Sequence, residues 1–242
     1  MPPASDLEGA QSRRAAALVR HGHFPRPEGM ASAHLLLPLS SEGKEQARRA
    51  AATLLQIAER CDLEIDSLIE SSQLLRASQT ARIIAEELSR LSGRLFEVED
   101  RDEMIERGLG SCANLRLDEI EKILADDDRL APLPQNWRRL PDFRLPVPGA
   151  ESLMEAGIRT AARIDASLAS IPADDDRDVL RIFVAHAGCL RHAAVSKGAL
   201  DRTRVRDLTM DYAQSILFEQ QREGDWKLIA GEWKKREAER RD

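Results

Sequence analysis

The chain has 242 residues, 42% of them hydrophobic and 32% charged, with a formal net charge of −6 from 36 basic and 42 acidic side chains. That length allows one sizeable α/β domain or two small ones, and an apolar stock of Ala, Leu, Ile and Val with 4% aromatics suits helices on a sheet better than an all-β sandwich. An acidic balance argues against neutralising nucleic-acid backbone, and with no signal-peptide run and no membrane-length stretch the expectation is a cytoplasmic protein without nucleic-acid or membrane partners.

The first 13 residues are polar and are expected to be flexible. Ala15 to Val19 form an apolar run that predicts a buried strand, ending at Arg20-His21-Gly22-His23 before a loop rich in Pro and Gly that runs to Pro38. Ser40-Ser41 can cap a helix whose Ala47, Ala50, Ala51, Leu54, Leu55 and Ala58 share one face. Asp66 to Glu70 predicts a short strand closing on Ser71-Ser72. A helix with Ala77, Ala81, Ile84, Leu88 and Leu91 on one stripe follows and stops at Gly93. Leu95 to Val98 suggests another strand. From about residue 100 to 148 the period fades, with a short helix over Asp118 to Leu124, and prolines break the remainder; such a stretch suits a lid or substrate loop.

Past Pro148-Gly149 a helix carries Leu153, Gly157, Ala161, Ile164 and Leu168. Val179 to Ala185 reads as a central strand covered on both faces, and it ends at His186-Ala187-Gly188 with a helix to follow through Val195. Ser215 to Glu219 and Trp226 to Ala230 predict a hairpin. The tail from Lys234 to Asp242 is charged and is expected to be solvated. The alternation of strands and helices predicts the α/β class, as a three-layer α/β/α sandwich with a mostly parallel central sheet over residues 14 to 233. In such sheets functional residues gather beyond the carboxyl ends of strands, where both His21 and His186 fall. Cys61, Cys112 and Cys189 have no metal-like spacing and read as reduced thiols.

Leu18-Val19-Arg20-His21-Gly22 resembles the signature of the histidine phosphatase superfamily, also called phosphoglycerate mutase-like. Further segments are similar to that family's elements in its own order. They are Pro38-Leu39-Ser40 to Gly43 with Gln46-Ala47; Ser71 through Ala81 with Arg76; Met104-Ile105-Glu106-Arg107-Gly108-Leu109-Gly110; Pro148 through Ser152; and Val184-Ala185-His186-Ala187-Gly188. The resemblance implies a phosphomonoester hydrolase of phosphoglycerate mutase-like fold, with His21 as nucleophile, Glu106 as acid and base, and His186 completing a phosphate clamp. Arg20, Arg76, Gly22 and Ala187 would contact the phosphoryl group. Glu103 is an alternative to Glu106 in the same stretch. Ala187 stands where the family often has glycine, and His23 where many members carry an acidic or amide side chain.

The chemistry fits these residue types without the name. A phosphoryl group in transfer carries its charge on equatorial oxygens, which permanently charged arginine forks can hold. An imidazole attacks from one nitrogen when the other is fixed by a hydrogen bond. Protonated His186 would complete the clamp, and no metal or other cofactor is called for. His21-x-His23 with His186 invites a metal reading, but no matching Asp or Cys ligand spacing supports it. His23, Arg26 and His34 are further candidates for contact with a small phosphorylated substrate. His192 is expected to pack on its helix. Trp137-Arg138-Arg139 resembles an element of the cofactor-dependent mutases, so Arg138 and Arg139 either bind a second anionic group or decorate a loop. Asp142-Phe143-Arg144 looks more like the phosphatase branch. Two other readings stay open: a mutase sharing the His21 chemistry, and an inactive phosphate-binding or adaptor protein on the same fold.

Overall fold

The computed structural model describes residues 12–172 and 174–236. The apolar run after Arg13 forms β1 (Arg14–Arg20), with every residue from Ala15 to Val19 buried. It is followed by α1 (Ser41–Arg60), β2 (Glu64–Ser72), α2 (Leu75–Ser92), β3 (Glu97–Arg101), α3 (Leu117–Ala125) and α4 (Leu153–Ala169). Then come β4 (Val179–Ala185), α5 (Ala187–Ser196), β5 (Leu208–Thr209), β6 (Ser215–Gln220), β7 (Trp226–Ala230) and β8 (Lys234–Lys235). The main sheet has six strands in the order β3-β2-β4-β1-β6-β7. Its first four strands run parallel, and the β6–β7 hairpin closes one edge antiparallel.

Strand alternation divides the core into two layers. Ala17 and Val19 face one way with Ile182 and Val184, against Ala47 and Leu54 of α1 and Ile84 and Leu88 of α2. Leu18 and Phe183 face the other way, against Ile164 and Leu168 of α4 and Leu190 and Ala193 of α5. The sandwich is therefore α/β/α. Helix ends follow local chemistry. Ser40 accepts the Gly43 N–H at 3.1 Å to start α1, Ser152 and Glu155 form a capping box for α4, and Gly93 ends α2 in the left-handed region at φ 71°.

Four expectations change. The third strand begins at Glu97, not Leu95, because pairing with β2 sets its register. The stretch from 100 to 148 is less irregular than its proline pattern suggests: α3 and three single turns of 3-10 helix enclose a third apolar cluster of Ile120, Leu124, Trp137 and Leu145. Of the segment expected to be flexible, residues 1–11 lie outside the described residues. Arg13 is fixed, its backbone N–H and side-chain Nε both donating to the carboxylate of Asp178. The tail is likewise not simply solvated. Trp233 packs beside Phe218 with ring centroids 6.2 Å apart, and Lys234–Lys235 then pair with Leu208–Thr209 as a two-stranded sheet. Residues 237–242 lie outside the described residues.

Candidate active site

Three neighbouring parallel strands end side by side. Arg20 of β1 is opposite Ala185 of β4, and Ser71 of β2 is opposite Val184. The next residue of each chain, His21, His186 and Ser72, is thereby delivered to one place. The two imidazole centroids are 5.1 Å apart, and both rings are almost wholly buried.

The hydrogen bonds assign the protons. His21 Nδ1–H donates to its neighbour's carbonyl, Gly22 O, at 2.8 Å, leaving the Nε2 lone pair to face the Nε–H of Arg76 at 3.3 Å. His186 Nδ1 accepts from Arg76 Nη2 at 3.1 Å, so its Nε2–H donates to Ser72 Oγ at 2.9 Å. Burial, together with the charge of Arg76, pushes both imidazoles well below the ordinary histidine range. Both rings are neutral in the unliganded protein. The protonated His186 expected of the clamp is a property of a phosphate-bound site; in the unliganded protein the ring is buried beside a guanidinium, which disfavours a second proton.

Arg76 is the charged centre of the site. It enters at the second residue of α2 and is 2% exposed, and burial brings its pKa down to about 10, which leaves it charged at neutral pH. Two further N–H groups donate to Leu35 O and Ala33 O in the loop after β1. Arg20 lies 4.0 Å over the ring of Tyr212 and donates to Met210 O. Glu106 is held at both carboxylate oxygens, by the backbone N–H of Arg107 at 2.9 Å and of Gly188 at 3.0 Å. A cleft of about 320 Å³ opens onto Arg20, Glu106, Ala187 and Gly188, a size that suits a small ester. Glu106 is in the cleft wall, whereas Glu103, the alternative in the same stretch, is exposed and outside it.

The chain matches the profile of the histidine phosphatase superfamily (branch 1) over residues 16–232. The chain belongs to the histidine phosphatase superfamily. A mycobacterial glucosyl-3-phosphoglycerate phosphatase, solved with VO3, is 26% identical, with a TM-score of 0.62 over 89% of this chain and 97% of that one. A protein described as mycobacterial hydrolase 1 is 24% identical, with a TM-score of 0.66 over 90% and 97% of the two chains. A phosphoserine phosphatase from Entamoeba histolytica, in complex with 3-phosphoglyceric acid, shares the fold at 18% identity, a TM-score of 0.58 and coverage of 90% and 96%. No curated protein matches the sequence. With the family established, the chain is an enzyme of the phosphatase class.

In this histidine phosphatase, Ala187 is accommodated because the tight approach falls one residue later. A Cβ on Gly188 would sit 2.4 Å from Glu106 Oε1. Gly22 is equally constrained: its N–H donates to Thr80 Oγ1 at 3.0 Å, and a Cβ there would meet Gly43 O at 2.5 Å. Arg26, Arg138 and Arg139 line the cleft. His34 reaches the backbone carbonyl of Glu106 at 3.1 Å, and His23 bonds Ser40 Oγ at 2.8 Å with its ring edge-on to Tyr212, so neither of these two rings is in the cleft wall. Among the described residues no group of three His, Cys, Asp or Glu is placed to hold a metal, and no helix is long and apolar enough to cross a membrane.

The sequence reading did not single out Ser72, Thr80, Tyr212 or Arg107 as site residues. Ser72 and Thr80 hold His186 and the loop of His21, and Tyr212, the chain's sole tyrosine, covers Arg20. Arg107 is 8% exposed and lies over the Trp137 ring beside the cleft. The fixed spacing of Thr80 four residues after Arg76, whose carbonyl it bonds at 2.7 Å, was the available signal for that residue.

Proposed function

We propose that this protein hydrolyses small phosphate monoesters without a metal, through a phosphohistidine intermediate on His21. The observation that carries the reading is the fixed tautomer of His21. With Nδ1–H bound to Gly22 O, the Nε2 lone pair is the nucleophile and faces the centre of positive charge. Arg76 and Arg20 together match the two negative charges of a phosphate ester, so a metal has no charge left to neutralise. An arriving phosphoryl group takes the hydrogen bonds that Arg76 now gives to His21 and His186, and its negative charge favours a second proton on His186.

In the first step the His21 Nε2–P bond forms and the P–O bond to the alcohol breaks, while the Glu106 carboxyl gives its proton to the departing oxygen. In the second step the Glu106 carboxylate takes a proton from water, whose oxygen attacks phosphorus as the P–N bond breaks. Inorganic phosphate leaves and Glu106 is again protonated. The names of the neighbours, phosphatases of glucosyl-3-phosphoglycerate and of phosphoserine, support a small phosphorylated substrate.

Hydrolysis of p-nitrophenyl phosphate in the presence of a chelator tests this reading. The expected outcome is chelator-resistant release in the wild type and none from His21→Ala, with acid-labile phosphate trapped on the wild-type protein. Activity retained by His21→Ala would remove His21 as nucleophile. A protein that binds phosphate but never labels would be a binding module. Because Arg138 and Arg139 line the same cleft as Glu106, phosphate transfer within a phosphorylated three-carbon acid is the second reading. A bisphosphate-primed transfer faster than hydrolysis would establish it.

A further inference from the structure

The cleft is far more basic than the molecule that contains it. The chain carries a net charge of −6, yet ten Arg and Lys side chains line the cleft against two carboxylates, Glu106 and Asp211. Most of those cations are already engaged. Arg20 lies over Tyr212, and Arg107 over Trp137. Arg191 is bound to the carbonyls of Val205 and Leu208, Arg236 to Leu208 O, and Lys234 to Asp211 at 2.8 Å. Arg26, Arg138 and Arg139 have contacts of their own. Arg206 and Lys235 differ: among the described residues neither side chain has an ion pair, a hydrogen bond or a ring contact, and both are exposed on the cleft wall.

The fold sets these two cations on one small platform. Arg206 lies in the turn just before β5, and Lys235 lies in β8 directly opposite Leu208. The Arg236 N–H donates to Asp207 O at 2.8 Å, which ties the tail to that turn. Buried Arg191 anchors the same turn to α5 from beneath. The platform is joined to the reaction centre, because β5 runs into Met210, whose carbonyl accepts from Arg20. Four residues of extended chain from Arg206 to Met210 span at most ~13 Å. Two exposed cations with no ion pair among the described residues match the two negative charges of a phosphate, and a carboxylate would leave one of them unmatched.

We propose that Arg206 and Lys235 form a second anion subsite for a phosphate group carried on the alcohol portion of the substrate. The substrate class is then a phosphomonoester bearing a further phosphate. This rests on the proposed hydrolase reading for the position of the first phosphate. The subsite itself binds anions whether or not turnover occurs.

Calorimetric titration of the full chain with inorganic phosphate and with tripolyphosphate, at about 0.1 M salt, separates the two ideas. Wild-type protein is expected to bind tripolyphosphate at least about tenfold more tightly than phosphate. Arg206→Gln with Lys235→Gln is expected to remove most of that advantage while leaving the phosphate affinity in place, and Arg206→Lys with Lys235→Arg, keeping both charges, to retain it. An unchanged advantage in the Gln variant would overturn the subsite, as would an equal loss of affinity for both ligands, which marks a general field and not a local site. If wild type fails to bind phosphate, the hydrolase reading fails. Tripolyphosphate binding that still depends on Arg206 and Lys235 would then leave the subsite standing.

Discussion

Gly188 sets how closely Glu106 can approach the start of α5. Its N–H holds Glu106 Oε2, and its missing Cβ leaves the space that Oε1 occupies. Gly188→Ala is therefore expected to displace the carboxylate and lower kcat for p-nitrophenyl phosphate by about 100-fold, the usual worth of a positioned acid or base. Ala187→Gly, one residue earlier, should leave kcat near the wild-type value. Equal effects of the two changes would mean that the carboxylate is not held as described. The residues with charge or a ring to lose, His21, His186, Arg76 and Glu106, were legible as candidates in the sequence. Their neutral hydroxyl partners were not, because Ser72 and Thr80 acquire meaning only from the register of β2 beside β4 and from one turn of α2.

The same divide holds for the elements. Helices α1, α2 and α4 announce themselves through a 3.6-residue stripe and a cap, and strand β4 through an unbroken apolar run. Where an element is specified by a distant partner, the pattern fails. Strand β3 takes its start from pairing, the tail strand from the docking of Trp233, and the cluster around Trp137 is assembled from turns without a period. Glu70 belongs to this second kind. It is a wholly buried carboxylate in β2 that receives the Arg163 guanidinium at both oxygens and the Ser167 hydroxyl at 2.9 Å, fastening α4 to the sheet. Arg101 Nε also lies 3.6 Å from this carboxylate, and both guanidiniums are partly exposed, so Glu70→Leu alone is expected to cost about 1–3 kcal/mol in denaturant unfolding. Glu70→Leu combined with Arg163→Leu should cost less than Glu70→Leu alone. A double variant whose loss equals the sum of the two single losses would show that the pair is not coupled.

For the molecule as a whole, the buried histidines are expected to lower stability as the pH drops below the ordinary histidine value. His21 and His186 are driven well below the ordinary value of 6.5, and His192, with Nδ1 bound to Gly188 O, is brought down to about 4, burial being the largest cause for each. An imidazole with a depressed folded-state pKa binds fewer protons in the folded chain than in the unfolded one over the window between the two values. Stability therefore rises with pH through that window and falls as the pH drops below ~6.5. Each such histidine contributes at most one proton, or about 1.4 kcal/mol per pH unit. Urea unfolding at pH 7, 6 and 5 should show this decline. His192→Leu, which removes one of the three groups and keeps a side chain in the packed space against Gly157, should flatten the slope by up to one proton. An unchanged slope would mean that His192 takes up its proton without unfolding. On the proposed hydrolase reading, phosphate added at pH 6 acts in the opposite sense on His186, because it would bind only the folded chain and supply the anion that a protonated ring requires. The decline below pH 6.5 should accordingly be shallower with phosphate present than without it.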